Sequence, residues 1–192
     1  MVYHQNRQQA ELFAIWPTRL MLGNPDDREV AKESYNRRNF QHIFNGWDLD
    51  IAHAAALGLL DEVETWFDKH FDRTYTLPCG LAKEDGPGNP ATTAAEWRPY
   101  CIPSWIPECP SLQGMGTGVL PVLEMLLQDY PDKLVVLPCW PADVPVSFAL
   151  YSPYAGRVEV SYRPGQELGV KTERPLPVES PLRKNVLAIV NP

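Results

Sequence analysis

Between Trp47 and Leu60 the chain has almost no polar face. Leu49, Ile51, Ala52, Ala54, Ala55, Ala56, Leu57 and Leu59 are interrupted only by Asp48, Asp50, His53 and Gly58. At helical spacing these apolar residues point in every direction, and a helix of that kind must be buried on most sides. The next segment differs. Leu60, Val63, Trp66, Phe67, His70 and Phe71 fall at i, i+3, i+6, i+7, i+10 and i+11, a stripe along one side. A helix that is apolar all round, followed at once by a one-sided one, reads as an inner–outer helical hairpin. Gly58 is tolerated there or marks a bend.

Upstream, Asn24-Pro-Asp-Asp27 reads as a helix start with acid in its first turn, and Arg37 and Arg38 suit its C-terminal end. Val30, Ala31 and Tyr35 form one narrow stripe, which predicts a half-solvated outer helix over 26–38. Downstream, residues 76–116 carry seven prolines and no sustained periodicity. Trp97, Tyr100 and Trp105 are interleaved there with Glu84, Asp85, Glu96, Arg98 and Glu108. A loop of this length is usually functional or disordered, and the aromatic content argues for order. A second inner-type helix is expected from Gly118 to Gln128, with Pro121 confined to its first turn, where no intrahelical donor is needed.

From residue 134 the pattern changes to strands. Leu134–Leu137, Val146–Leu150, Arg157–Tyr162 and Val186–Val190 are short β-rich runs. In the third, Val158, Val160 and Tyr162 alternate with Arg157, Glu159 and Ser161, as a half-buried strand requires. Arg163-Pro-Gly-Gln166 is a turn, with a return strand over 168–172. The expected architecture is α+β: residues 1–133 form a helical part with the long 76–116 loop, and residues 134–192 form a small antiparallel β domain.

Composition narrows the function. There are 20 prolines in 192 residues, about twice the usual share, which points to long ordered loops. The net charge of −7 argues against a nucleic-acid partner, because phosphate backbones need clustered Lys and Arg. No run approaches the apolar length of a membrane span. The N-terminus lacks the apolar core of a signal peptide, and the compartment stays undetermined. Cys79, Cys101, Cys109 and Cys139 form no C-x-x-C pair and read as buried thiols. Gly114, Gly116 and Gly118 precede no Lys-Ser/Thr pair, so a phosphate-cradling loop fails, and the glycines are expected to turn the backbone before the helix. No metal or cofactor is implied.

Three motifs carry a family resemblance. They are Gly46-Trp47 opening the inner helix, the phrase from Gln113 to Gln128 ending in Glu-Met-Leu-Leu-Gln, and Leu137-Pro-Cys-Trp-Pro141 before the strands. The segment Leu12–Pro17 is similar as well. Together they resemble the C-terminal part of (α/α)6-barrel glycoside hydrolases, in particular the family 95 alpha-L-fucosidases and their relatives. The resemblance implies an incomplete α/α-toroid segment followed by the β domain, with a carbohydrate as substrate. It also implies that the earlier hairpins, with the family's general acid, belong to a portion this chain lacks. The chain alone is then expected to be inactive, a piece of a larger enzyme or a remnant of one. Where the family carries an aspartate base, this chain has Gln113, and an amide cannot accept a proton at neutral pH.

Glycosidic hydrolysis canonically uses two carboxyl groups, about 5–5.5 Å apart for retention or about 6.5–9.5 Å for inversion. Glu108, nearest the Gly-rich turn, is the first candidate for a replacement carboxylate, and Glu96, beside Trp97, the second. Trp47, Trp97, Tyr100 and Trp105 are candidates to stack on sugar rings, with Gln113 and Asp48 as polar contacts. Asp50 and His53 stand three apart on the inner helix and are expected to pair, bracing the core or moving a proton. Glu124, among apolar neighbours, needs a structural partner. An incomplete barrel would bare apolar helix flanks, so self-association or pairing with the missing portion is expected. Three readings follow: one wall of a glycosidase sugar cleft, a non-catalytic carbohydrate-binding or scaffold remnant, or a generic helical interaction domain that self-associates.

Overall fold

Asn24 starts the first helix as its sequence suggests. In the computed structural model, which describes residues 9–38, 49–73, 82–83, 110–182 and 188–190, α1 spans Pro25–Arg37. The Asn24 side chain accepts from the Asp26 backbone N–H at 2.9 Å, and Pro25 occupies the first turn, where its missing donor costs nothing. Ala31 and Tyr35 are buried as expected, but Val30 is 56% exposed, so the buried stripe is narrower than the spacing implied. Before α1, a 3-10 turn at Ala10–Leu12 and the chain after it bury Leu12, Ile15 and Leu22.

Helix α2 spans Asp50–Leu57, and all eight of its residues are buried. Four of them are alanines, and small side chains let neighbouring elements approach closely. Gly58 ends the helix rather than bending it. At φ +76° it takes the left-handed conformation, its N–H bonds to Ala55 O at 3.0 Å, and Leu59 N–H bonds to Ala54 O at 2.9 Å. This pair of bonds is the Schellman arrangement, which glycine adopts without a Cβ clash. Helix α3, Leu60–Arg73, follows directly and packs on α2. Val63 is buried, Trp66 and Phe67 are half-buried, and Asp61, Glu64, Thr65, Asp68 and Lys69 face solvent. The inner–outer pair read from the sequence is therefore present.

Strands β1 (Ala82–Lys83) and β2 (Pro110–Ser111) pair antiparallel, Ala82 opposite Ser111 and Lys83 opposite Pro110. Helix α4 then runs from Leu112 to Leu126. It begins six residues earlier than expected, so Gly114, Gly116 and Gly118 lie inside the helix and Pro121 is in its interior. Burial offsets the weak helix propensity: Thr117, Gly118, Pro121, Glu124 and Met125 are all buried. Pro121 still withholds one N–H from the ladder.

The chain divides into two compact units, residues 1–121 and 122–192. In the second, β3 (Leu127–Asp129) and β4 (Leu134–Val136) form an antiparallel hairpin, and β8 (Val178–Glu179) joins β4 in parallel. A four-stranded sheet has the order β5 (Val146–Ser152), β6 (Gly156–Tyr162), β7 (Gly169–Thr172), β9 (Ala188–Val190). The β7–β9 pair is parallel, so both sheets are mixed rather than antiparallel as expected. Strands joined by short turns pair antiparallel, whereas those reached by longer connections come back parallel. In β6, Val158, Val160 and Tyr162 are buried while Arg157 and Ser161 are exposed, matching the sequence alternation. They form one core with Leu126, Leu127, Leu134, Val136, Leu137, Leu168 and Val170. Trp140 packs against that core, and its indole N–H donates to Val144 O at 2.9 Å. Cys139 is buried, as read, while Cys79, Cys101 and Cys109 lie outside the described residues. The fold is α+β.

Candidate functional site

Among the described residues of the helical unit, a buried polar cluster is built on Asp50, at the start of α2. Its carboxylate is fully buried, and a buried carboxylate needs a cation. Arg38, immediately after α1, supplies it: Nε lies 2.9 Å from Asp50 Oδ1, with side-chain exposures of 2% and 0%. The guanidinium donates from Nη1 to Tyr35 O at 2.6 Å and lies over the Tyr35 ring, 3.7 Å from its centroid. Glu62 on α3 completes the group. Its Oε1 accepts from the Tyr35 hydroxyl at 3.3 Å and stands 3.7 Å from Arg38 Nη2. Burial pushes the Tyr35 hydroxyl pKa far above its ordinary value, with Asp50 and Glu62 adding to the shift and Arg38 opposing it. One cluster thus ties α1, α2 and α3 together. Arg28 adds a second tie, donating from Nη2 to Ala56 O at 2.9 Å near the end of α2.

His53, one turn along α2, does not pair with Asp50 as the spacing suggested. Arg38 takes the carboxylate, because a guanidinium is a stronger partner for a buried anion than a neutral imidazole. His53 is 1% exposed, and its ring meets the Trp16 backbone rather than a charged partner. Burial lowers its pKa from 6.5 to about 4; Asp50 and the Trp16 backbone pull the other way, and Arg38 adds slightly to the fall. At neutral pH it is an uncharged ring sealed in the core. The cluster braces α1, α2 and α3 against one another, with His53 as a neutral ring beside it. Among the described residues no three His, Cys, Asp or Glu side chains converge to hold a metal.

The cluster matters for what it brackets. Arg38 and Asp50 lie on either side of residues 39–48, the segment that carries Trp47 and Asp48. In the same way, the β1–β2 ladder closes the base of residues 84–109, which carry Glu96, Trp97, Trp105 and Glu108. These six candidate residues themselves lie outside the described residues. Gln113 is placed by its backbone in the first turn of α4, directly after β2, rather than in a turn ahead of the helix. Glu124 is buried in α4. No helix among the described residues is long and apolar enough to cross a membrane.

No family model and no curated protein matches the chain. The geometry and the sequence motifs are therefore what a functional reading has to rest on. Sequence reasoning missed Arg38, which read as a basic residue at a helix end. The signal that could have found it is Asp50: a carboxylate in an otherwise apolar helix demands a cation, and Arg37 and Arg38 are the nearest upstream cations in sequence.

Proposed function

We propose that this chain forms one wall of a saccharide cleft in a glycoside hydrolase-like protein. Trp47, Asp48, Trp97, Trp105 and Gln113 would contact sugar, and Glu108 or Glu96 would assist proton transfer. The supporting observation is the bracketing just described. The two segments that carry nearly all of these residues are each fastened at their ends, one by a buried ion pair and one by a strand ladder. Long segments held at the base by rigid elements are where binding and catalytic residues concentrate. The buried α2 backed by the one-sided α3 is consistent with an inner and an outer stave of an α/α-toroid, and α4 leads directly into strands, the order found in the resembled family.

The test uses the full chain with a panel of aryl glycosides and an array of immobilised glycans. Glycan binding that Trp97→Ala weakens is expected of the chain alone, and turnover that Glu108→Gln or Glu96→Gln abolishes is expected once the earlier hairpins are supplied in trans. The absence of both binding and turnover would refute the proposal. Gln113 favours the second reading, a non-catalytic carbohydrate-binding module, because it stands where the resembled family has a base. Binding without turnover would establish that reading. Turnover gained in Gln113→Asp would show that the missing carboxylate is what separates the two.

A further inference from the structure

The second unit carries a feature that the saccharide reading does not use. Strand β5 stands at one end of its sheet and pairs with β6 along all seven of its residues. Among the described residues no strand pairs with its other side. Alternate residues of an antiparallel strand turn N–H and C=O groups outward, so such an edge is a row of unmade hydrogen bonds. Natural edges are usually guarded by charge, shortness or a bulge. Here the register with β6 is unbroken, and residues 144–156 contain no charged side chain. The opposite edge strand, β9, has only three residues.

The inner face shows the same incompleteness. Val158, Val160 and Tyr162 on β6 are 0%, 2% and 2% exposed, yet their β5 partners Leu150, Phe148 and Val146 are only half-buried. The missing cover lies on the β5 side.

We infer that β5 pairs with β5 of a second copy of this chain, antiparallel about Ala149, joining two four-stranded sheets across a two-fold axis. In that register Phe148 faces the partner's Leu150 on the inner side, and Ser147 faces the partner's Tyr151 on the outer side, each contact occurring twice. Tyr151 is 73% exposed in the single chain and so free to make the contact. Charge does not oppose this contact. Each chain carries a net −7, and the stretch 144–156 lets two like-charged molecules meet without opposing charges of one sign. The two-fold arrangement closes on itself, whereas β5 added to a partner's β9 would be short and open-ended. The inference does not rest on the saccharide reading.

Sedimentation velocity on the full chain, from about 1 µM to about 1 mM, tests it across the affinity range of weak to moderate complexes. A monomer–dimer equilibrium is expected. Ala149 lies on the exposed outer face opposite Glu159, so Ala149→Lys adds an opposite charge across the β5–β6 pair and Ala149→Glu a like one; thermal unfolding of both variants checks that the sheet stays folded. Ala149→Lys and Ala149→Glu each place like charges opposite one another at the axis, and each should weaken the dimer about tenfold or more. Mixing the two variants should restore it. A monomer throughout the range, a dimer as strong in A149K as in the parent, or no recovery on mixing would each overturn the proposal.

Discussion

Acid should loosen the helical unit through one residue. His53 is buried, and desolvation lowers its pKa from 6.5 in the open chain to about 4 in the fold. Between those values the unfolded chain binds a proton on His53 that the folded chain refuses. Its contribution to stability is therefore complete above 6.5, declines as the pH falls toward 4, and is lost below that. The gap corresponds to about 3 kcal/mol, a large share of the stability of an ordinary domain. His53→Leu removes the titration while keeping a side chain of similar bulk. Its cost at neutral pH should be small, since the buried polar ring leaves together with its Trp16 backbone contact. Hydrogen exchange under urea, from about pH 7 to about pH 4, reads the effect locally. Amides of α2 should lose about 3 kcal/mol more protection in the parent than in the variant, while amides of β6 should show no difference between the two proteins. Carboxylates such as Asp50 and Glu62 are common to both and cancel in the comparison. Parallel loss in parent and variant, within about 0.5 kcal/mol, would refute the reasoning.

Other outcomes follow from single contacts. Arg38→Met leaves the Asp50 carboxylate buried without its guanidinium and should cost about 3–5 kcal/mol in urea unfolding, while adding Asp50→Leu should recover most of it. Gly156→Ala forces φ +73° on a residue with a Cβ, and that Cβ would lie 2.9 Å from Glu173 Cβ; a loss of at least about 1–2 kcal/mol is expected in thermal unfolding of the β unit. Tyr162→Phe removes the 2.6 Å bond from its hydroxyl to Ala142 O and should cost about 1 kcal/mol in the same assay.

Much of the fold was legible wherever a local rule decides local structure. The Asn24–Pro25 start of α1, the helical pair α2–α3 and the alternation in β6 all depend on neighbours within a few residues. The start of α4 was not legible. Three glycines and a proline argue against a helix, and only burial of residues such as Thr117 and Met125, which the local sequence does not encode, overrides them. Strand partners were opaque for a similar reason: alternation shows which side of β4 or β7 faces the core but not that β8 and β9 come to lie beside them in parallel. At the candidate site, Asp50 and His53 were visible as polar residues in an apolar helix. Which of them Arg38 would take depended on the fold bringing two residues twelve apart in sequence side by side, and no periodicity reports that.

The placing of β8 and β9 bears on how the second unit is made. Each of its two sheets receives its last strand from residues 178–190, after every other strand has been synthesised. Until that stretch leaves the ribosome, β4 and β7 each keep a bare flank, and the nascent domain cannot close. A truncation just short of Val178 would therefore strip both sheets at once, so the unit should mature in a single late step rather than strand by strand.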